Sequence, residues 1–100
     1  MTTKQPETTG GNRIIISVLG HDKVGIIAGV ANILSDNRIN ILDISQTILQ
    51  DIFTMILIAD MEKSKIDLAA LKALLNKKGD ELGLRIDAQH EDAFRYMHRI

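Results

Sequence analysis

The stretch GHDKVGIIAGVANILSDNRINI, residues 20–41, decides the fold because it holds a complete helix signal directly after a β-branched run. Asp22 is the best N-cap candidate, since its carboxylate can accept a backbone N–H at the positive end of a helix. The helix should extend to about Asp36, and Asn37 follows where a left-handed residue often ends a helix. Helical spacing predicts a buried stripe of Ile26, Ile27, Val30, Ile33 and Leu34.

Two glycines lie near the start of this helix signal, Gly25 and Gly29. Each glycine inside a helix costs about 1 kcal/mol relative to alanine, so we expect the missing side chains to serve a purpose. That purpose is either ligand access to the backbone, which applies best to Gly25, or close packing against a strand or a partner. The helix face concerned is small throughout, with Gly25, Ala28, Gly29, Asn32 and Ser35.

The flanking segments predict four strands. RIIISVL, residues 13–19, is a first strand that Gly20 stops, and INILDISQTILQ, residues 39–50, forms a hairpin with DIFTMILIADM across the polar break at Gln50 and Asp51. The second hairpin strand is apolar on both faces, so both faces of the sheet centre should be covered. The alternation in LRIDAQH, residues 84–90, indicates a strand with one wet face.

Two further helices complete the element order. Ser64 and Asp67 resemble a capping box at the start of a leucine-rich helix that should end near Gly83. The closing EDAFRYMHRI, residues 91–100, predicts a short terminal helix that packs through one side. The residues on that side are Ala93, Met97 and Ile100.

The order β-α-β-β-α-β indicates an α+β, ferredoxin-like domain: an antiparallel four-stranded sheet with two helices on one face, plus a short C-terminal helix. With 100 residues the chain has room for one domain. Residues 1–12, rich in Thr with Pro6 and a glycine pair, should be a disordered tail, which leaves residues 13–100 as the single domain.

Composition excludes several functions that this fold can serve. The net charge of -1 and the few aromatic residues argue against nucleic acid and anionic membranes, and the absence of cysteine excludes thiolate metal sites. No apolar run is long enough for a membrane span, so a cytoplasmic location is expected. We expect no catalysis, no cofactor and no metal, because no nucleophile and base are paired and His21, His90 and His98 lack ligand spacing.

Residues 20–46, GHDKVGIIAGVANILSDNRINILDISQ, resemble the signature of the ACT domain, a small-molecule-binding regulatory module. The combination of Asp22, Gly25, Asn40 and Ile41 carries the likeness, which covers residues 13–90 in element order. The whole chain is similar to free-standing single ACT-domain proteins of bacteria and archaea, and more weakly to the ACT halves of the glycine-cleavage-system repressor. Val24 departs from the pattern, since many relatives have proline there.

The resemblance implies a small-molecule site, most simply for an amino acid, between the first strand-helix loop of one subunit and the second strand of its partner. The implied ligand-binding residues are His21, Asp22, Lys23, Val24 and Gly25 with Asn40, Ile41 and Leu42. A free backbone N–H at a helix N-terminus suits a carboxylate, and an amide side chain can both donate and accept. Asp22 can act as a cap alone, and Asn40 can instead bond its own turn.

The strand from Ile39 to Gln50 should lie on the sheet edge, where an unpaired strand invites association. We therefore expect at least a homodimer that pairs through this edge. The alternative to a ligand-sensing protein is a structural or interaction module that assembles through the same interface and binds nothing. Neither of these two functions identifies the downstream protein partner.

Overall fold

The computed structural model describes residues 12–21 and 25–97. The elements are β1 (Arg13–Gly20), α1 (Ile26–Asp36), β2 (Asn40–Leu49), β3 (Ile52–Asp60), α2 (Leu68–Leu82), β4 (Arg85–His90) and α3 (Glu91–Met97). This order confirms the predicted ferredoxin-like arrangement and its short C-terminal helix. The predicted disordered tail lies outside the described residues apart from Asn12, whose carbonyl oxygen accepts the N–H of Met61 at 2.8 Å.

The four strands form one sheet in the order β2-β3-β1-β4, and all three neighbouring pairs are antiparallel. β2 is therefore an edge strand, as the sequence predicted. The hairpin of β2 and β3 turns at Gln50 and Asp51, and Gln50 takes a φ of 58°. Between Ile41 and Asp43 the register of β2 shifts by a bulge, which places Leu42 outside the regular pairing.

One face of the sheet carries the core. Alternate side chains of β1, β3 and β4 pack there with the buried sides of α1 and α2, and they include Ile14, Ile16, Val18, Phe53, Met55, Leu57, Ile86 and Ala88. The predicted alternation of β4 is confirmed, because Ile86 and Ala88 are buried while Arg85 and Asp87 are exposed. Burial of this apolar surface is the main stabilising term of the fold.

The opposite face is covered at one end only. Ile15 is 7% exposed there, whereas Ile52 and Ile56 on β3 are 41% and 36% exposed. In the single chain, the prediction that both faces of β3 are covered is therefore wrong for these two side chains. Burial along α1 also departs from prediction at Ile27, which is 39% exposed.

The start of α1 differs from the predicted cap at Asp22. The helix begins at Ile26, and Gly25 occupies the N-cap position with φ 77° and no side-chain hydrogen bond. Glycine adopts this left-handed backbone at little cost, whereas other L-residues rarely do. The left-handed backbone therefore favours glycine at position 25. This glycine lies at the N-cap and not inside the helix, as the periodicity suggested it would.

The end of α1 forms a Schellman motif whose left-handed residue is Arg38, not the predicted Asn37. The N–H of Ile39 donates to the carbonyl of Leu34 at 2.9 Å, and the N–H of Arg38 donates to that of Ser35 at 3.2 Å. Asn37 has φ -108° and donates its side-chain amide to the carbonyl of Ile33 at 2.8 Å. Asparagine therefore closes the helix through its side chain rather than through its backbone.

The cap of α2 lies three residues later than predicted. Asp67 is the N-cap, and its carboxylate accepts the N–H of Ala70 at 2.8 Å. Ser64 instead closes a local turn with Ile66. The predicted end near Gly83 is confirmed, since this glycine is the C-cap with φ 70°.

The short helix α3 contacts β1 and β4. An ion pair links α3 to β1, because the Arg13 guanidinium donates to the Glu91 carboxylate at 2.6 Å. The predicted packing side is wrong at Ala93, which is exposed, whereas Phe94 is half-buried. The Met97 side chain and Ile100 lie outside the described part of the chain.

Candidate functional site

The predicted site residues lie in two groups, one at each end of the sheet. At the hairpin end lie the β2-β3 turn and the last residue of β1, since Gly20 pairs with Phe53 and Leu49 with Ile52. At the Asn40 end, Asn40 of β2 stands opposite Asp60 of β3. Helix α1 runs from the first end to the second, because it follows β1 and precedes β2.

His21 and Gly25 of the predicted site lie at the hairpin end. His21 is exposed, and its Nδ1 is 3.9 Å from the Asp51 carboxylate in the hairpin turn. Gly25 is exposed, and a Cβ added to it would meet no atom within 4 Å. Open space beside a helix N-terminus leaves room for a small ligand. Asp22, Lys23 and Val24 lie outside the described residues.

Asn40, Ile41 and Leu42 lie at the other end. Asn40 is exposed and Ile41 is half-buried against the core. The bulge leaves Leu42 46% exposed. A shallow cleft runs beside Asn40 on the helix side of β2 and is lined by Ala31, Ser35, Arg38, Ile39, Asn40 and Ile41. The Asn40 side chain is thus accessible for binding.

The two groups do not meet within one chain. Gly25 and Asn40 lie beyond opposite ends of α1, whose 11 residues are about 16 Å long at a rise of about 1.5 Å per residue. No small metabolite spans that distance. A site that uses Gly25 and Asn40 together therefore needs residues from two chains.

An apolar surface follows the free edge of the sheet. Ile44 and Ile48 point to the helix side of β2, because their partners Leu57 and Phe53 belong to the core, yet they are 39% and 58% exposed. Ile27 lies one helical turn before Ala31, which lines the cleft beside β2, so Ile27 faces the same way. We call Ile27, Leu42, Ile44 and Ile48 the edge surface.

Sequence periodicity missed the edge surface because it placed Ile27 in the core. The pattern alone cannot show that α1 stops short of covering the edge strand. At the backbone, the N–H of Ile44 donates to the Asp43 carboxylate at 2.9 Å, which satisfies one edge amide locally. Bulges and local bonds of this kind are common on exposed sheet edges.

Residues 12–21 and 25–97 contain no cluster of three His, Asp or Glu side chains placed to hold a metal ion. Among these same residues, no helix is both long and apolar enough to cross a membrane.

Comparison with known proteins matches residues 12–89 to the ACT domain model. The chain belongs to the ACT domain family. The match covers all six elements of the βαββαβ core. This membership confirms the resemblance drawn from residues 20–46, and ACT domains are in general regulatory and ligand-binding.

Similar proteins include two of about the same length as this chain. A UPF0237 protein of Methanocaldococcus jannaschii is 51% identical over 89 residues, which are 89% of this chain and 99% of the relative. A solved ACT domain protein from Streptococcus pneumoniae is 36% identical with a TM-score of 0.74, over 84% of this chain and 94% of that one. A crystal structure described as a glycine cleavage system transcriptional repressor reaches 0.71 at 16% identity, over 88% of this chain and 51% of that one, and shares the fold.

Proposed function

We propose that the chain is a regulatory ACT-domain protein, not an enzyme, that binds a small amino acid or related metabolite between two copies paired through β2. The observation that supports this most is the placement of Gly25 and Asn40 at opposite ends of the sheet within one chain, beside an exposed apolar edge. The remaining ligand contacts would come from His21, Asp22, Lys23 and Val24 on one chain and Ile41 and Leu42 on the other.

A two-fold axis through the middle of β2 makes one site from these separate halves. The axis reverses the partner strand, so the Asn40 end of one chain lies beside the hairpin end of the other. The same operation creates two identical sites and covers both copies of the edge surface. A monomer keeps Ile48 and Leu42 in water, which makes association favourable.

Each half supplies a different interaction. The N-terminus of α1 presents backbone N–H groups and the positive end of the helix dipole, and both suit a carboxylate. Asn40 of the partner offers an amide oxygen that can accept from an ammonium group. An α-amino acid carries both groups and is therefore the ligand that fits this pair best.

The experiment is a thermal-shift screen of the full chain against the twenty amino acids, followed by calorimetry of any hit. A ligand at 100 times its dissociation constant should stabilise the fold by about 2.7 kcal/mol. Asn40→Ala should weaken binding, while Asn76→Ala, at an exposed position on α2, should leave it unchanged. Gly25→Val is a poor probe because a β-branched residue is strained at φ 77°.

The alternative function is assembly without a ligand. It predicts the same dimer, because the edge surface is exposed under either function. A dimer that binds no amino acid below millimolar concentration would favour this structural role. Equal binding by wild type and Asn40→Ala would show that the ligand binds at another site.

A further inference from the structure

A second cleft lies on the other side of Asn40, between the α1-β2 connection and the β3-α2 connection. Its lining residues are Arg38, Asn40, Asp60, Glu62 and Lys63. All five come from one chain, so this cleft is complete without a partner. It differs from the Gly25 and Asn40 site, which needs two copies.

Hydrogen bonds order both walls of this charged cleft. The N–H of Lys65 donates to the carbonyl of Asn37 at 3.0 Å and so joins one connection to the other. The Asp60 carboxylate accepts the N–H of Glu62 at 2.8 Å, which orders the turn after β3. A site with ordered walls loses little entropy when it binds a ligand.

The cleft combines two cations with two carboxylates. Arg38 and Lys63 are exposed, as is Glu62, whereas Asp60 is half-buried. Within the described ranges, neither cation forms an ion pair with either carboxylate at 4.0 Å or less. Charged groups of both signs therefore line the cleft without pairing directly with one another.

Arg38 is also an unusual residue for its backbone conformation. Its φ of 60° is the left-handed conformation, which costs an L-residue roughly 1–2 kcal/mol and which glycine adopts freely. Glycine would complete the same Schellman motif. The backbone conformation alone would therefore favour glycine at this position.

We propose that this charged cleft binds a small zwitterion, with its ammonium group at Asp60 and Glu62 and its carboxylate at Arg38 and Lys63. A planar guanidinium binds a carboxylate through two parallel hydrogen bonds, and a carboxylate accepts strong bonds from an ammonium group. Asn40 adds a neutral donor and acceptor on the side towards β2.

The test is an NMR titration of the full chain with glycine, acetate and methylammonium in separate experiments. Glycine, which carries both charges, should shift the amides of residues 38–40 and 60–63 at a concentration where the other two do not. The response should be the same in Ile48→Lys, which removes an edge contact and leaves the cleft intact. Equal shifts with acetate or methylammonium alone would show that only one charge is recognised and would overturn the proposal.

Three variants locate the binding groups. Asp60→Asn keeps the acceptor for the Glu62 N–H, and Arg38→Gly suits the backbone, so each removes a charge without disturbing the fold. Each should weaken glycine binding at least about fivefold, the size of a 1 kcal/mol contact. Lys77→Ala, at an exposed position on α2, is the control and should bind as wild type does.

The outcomes separate this proposal from the interface site. Amino-acid binding that Asn40→Ala weakens, but that Asp60→Asn and Arg38→Gly do not, would support the interface site and overturn the charged cleft. Glycine binding that persists in Ile48→Lys and fails in Asp60→Asn would support the charged cleft, whatever the interface does. No glycine response at all would overturn the charged cleft alone.

Discussion

Arg13 and Glu91 join the first strand to the last helix through an ion pair of 2.6 Å between Nη2 and Oε2. Glu91 is 13% exposed at its side chain, while Arg13 is 43% exposed and remains open to solvent screening. Arg95 also donates to the same carboxylate oxygen at 3.4 Å. This contact fixes α3 over the end of the sheet face where Ile15 is buried.

Glu91→Gln should lower the free energy of unfolding by about 1 kcal/mol, because it removes the charge that two arginines contact. Urea denaturation of the full chain measures this change. The control is Glu81→Gln, which removes an exposed ion pair with Lys78 and should change stability by less than about 0.5 kcal/mol. Equal effects of the two substitutions would show that α3 is not held by Arg13.

The two glycines near the start of α1 should respond to alanine in opposite directions. Gly25→Ala should destabilise by about 1 kcal/mol, since φ 77° is strained for alanine although no atom is within 4 Å of its Cβ. Gly29→Ala should stabilise by up to about 1 kcal/mol, because it gains helix propensity. Its Cβ would be 3.5 Å from Leu82 and Lys78, which is ordinary contact.

Thermal and urea unfolding of both alanine variants measure the difference. A loss of stability in Gly29→Ala would mean that α1 and α2 cannot accommodate one methyl group between them. A gain in Gly25→Ala would contradict the left-handed N-cap.

Ile48→Lys should convert the dimer to a monomer. It places a charge on the edge surface at a side chain that is 58% exposed in the single chain, so the fold itself loses little. Sedimentation velocity at micromolar concentration gives the oligomeric state. Leu74→Lys, at a 40% exposed position on α2, is the matched control and should remain a dimer. A wild-type monomer would contradict pairing through β2.

The element order was predictable because each strand and helix carries its own period of apolar residues. The termini of the helices were not, since Asp22 and Ser64 have the right side chains for a cap but α1 begins at Ile26 and α2 at Leu68. The backbone decides these positions: Gly25 is left-handed, and Asp67 reaches the N–H of Ala70. A periodic pattern reports burial and cannot report a single φ angle.

The candidate site was predictable only in part. The resemblance to ACT domains singled out Gly25 and Asn40, which the fold places at opposite ends of the sheet, so their joint site stays a prediction. Nothing in the sequence pattern brings Arg38 to Asp60 and Lys63, because Arg38 lies between α1 and β2 whereas the other two lie at the end of β3 and just after it, and these segments meet only in the folded chain. Ile27 was misplaced for the same reason, since its exposure depends on where the sheet ends.

The central claim is that the ligand site consists of the Gly25 loop of one chain and Asn40 of the other. It can be tested by mixing two variants that should each bind the amino acid found in the screen more weakly than wild type: Asn40→Ala and Lys23→Glu, which places a negative charge where the carboxylate is expected. In a mixed dimer, the intact loop of the first variant meets the intact Asn40 of the second, and one of the two sites is complete.

Calorimetry of an equal mixture, after exchange of subunits, is the most direct measurement. Half of the dimers should be mixed, so the mixture should regain about one quarter of the wild-type sites with wild-type affinity. Each variant alone should show no site of wild-type affinity. A mixture that binds no better than its separate components would contradict a site shared between two chains.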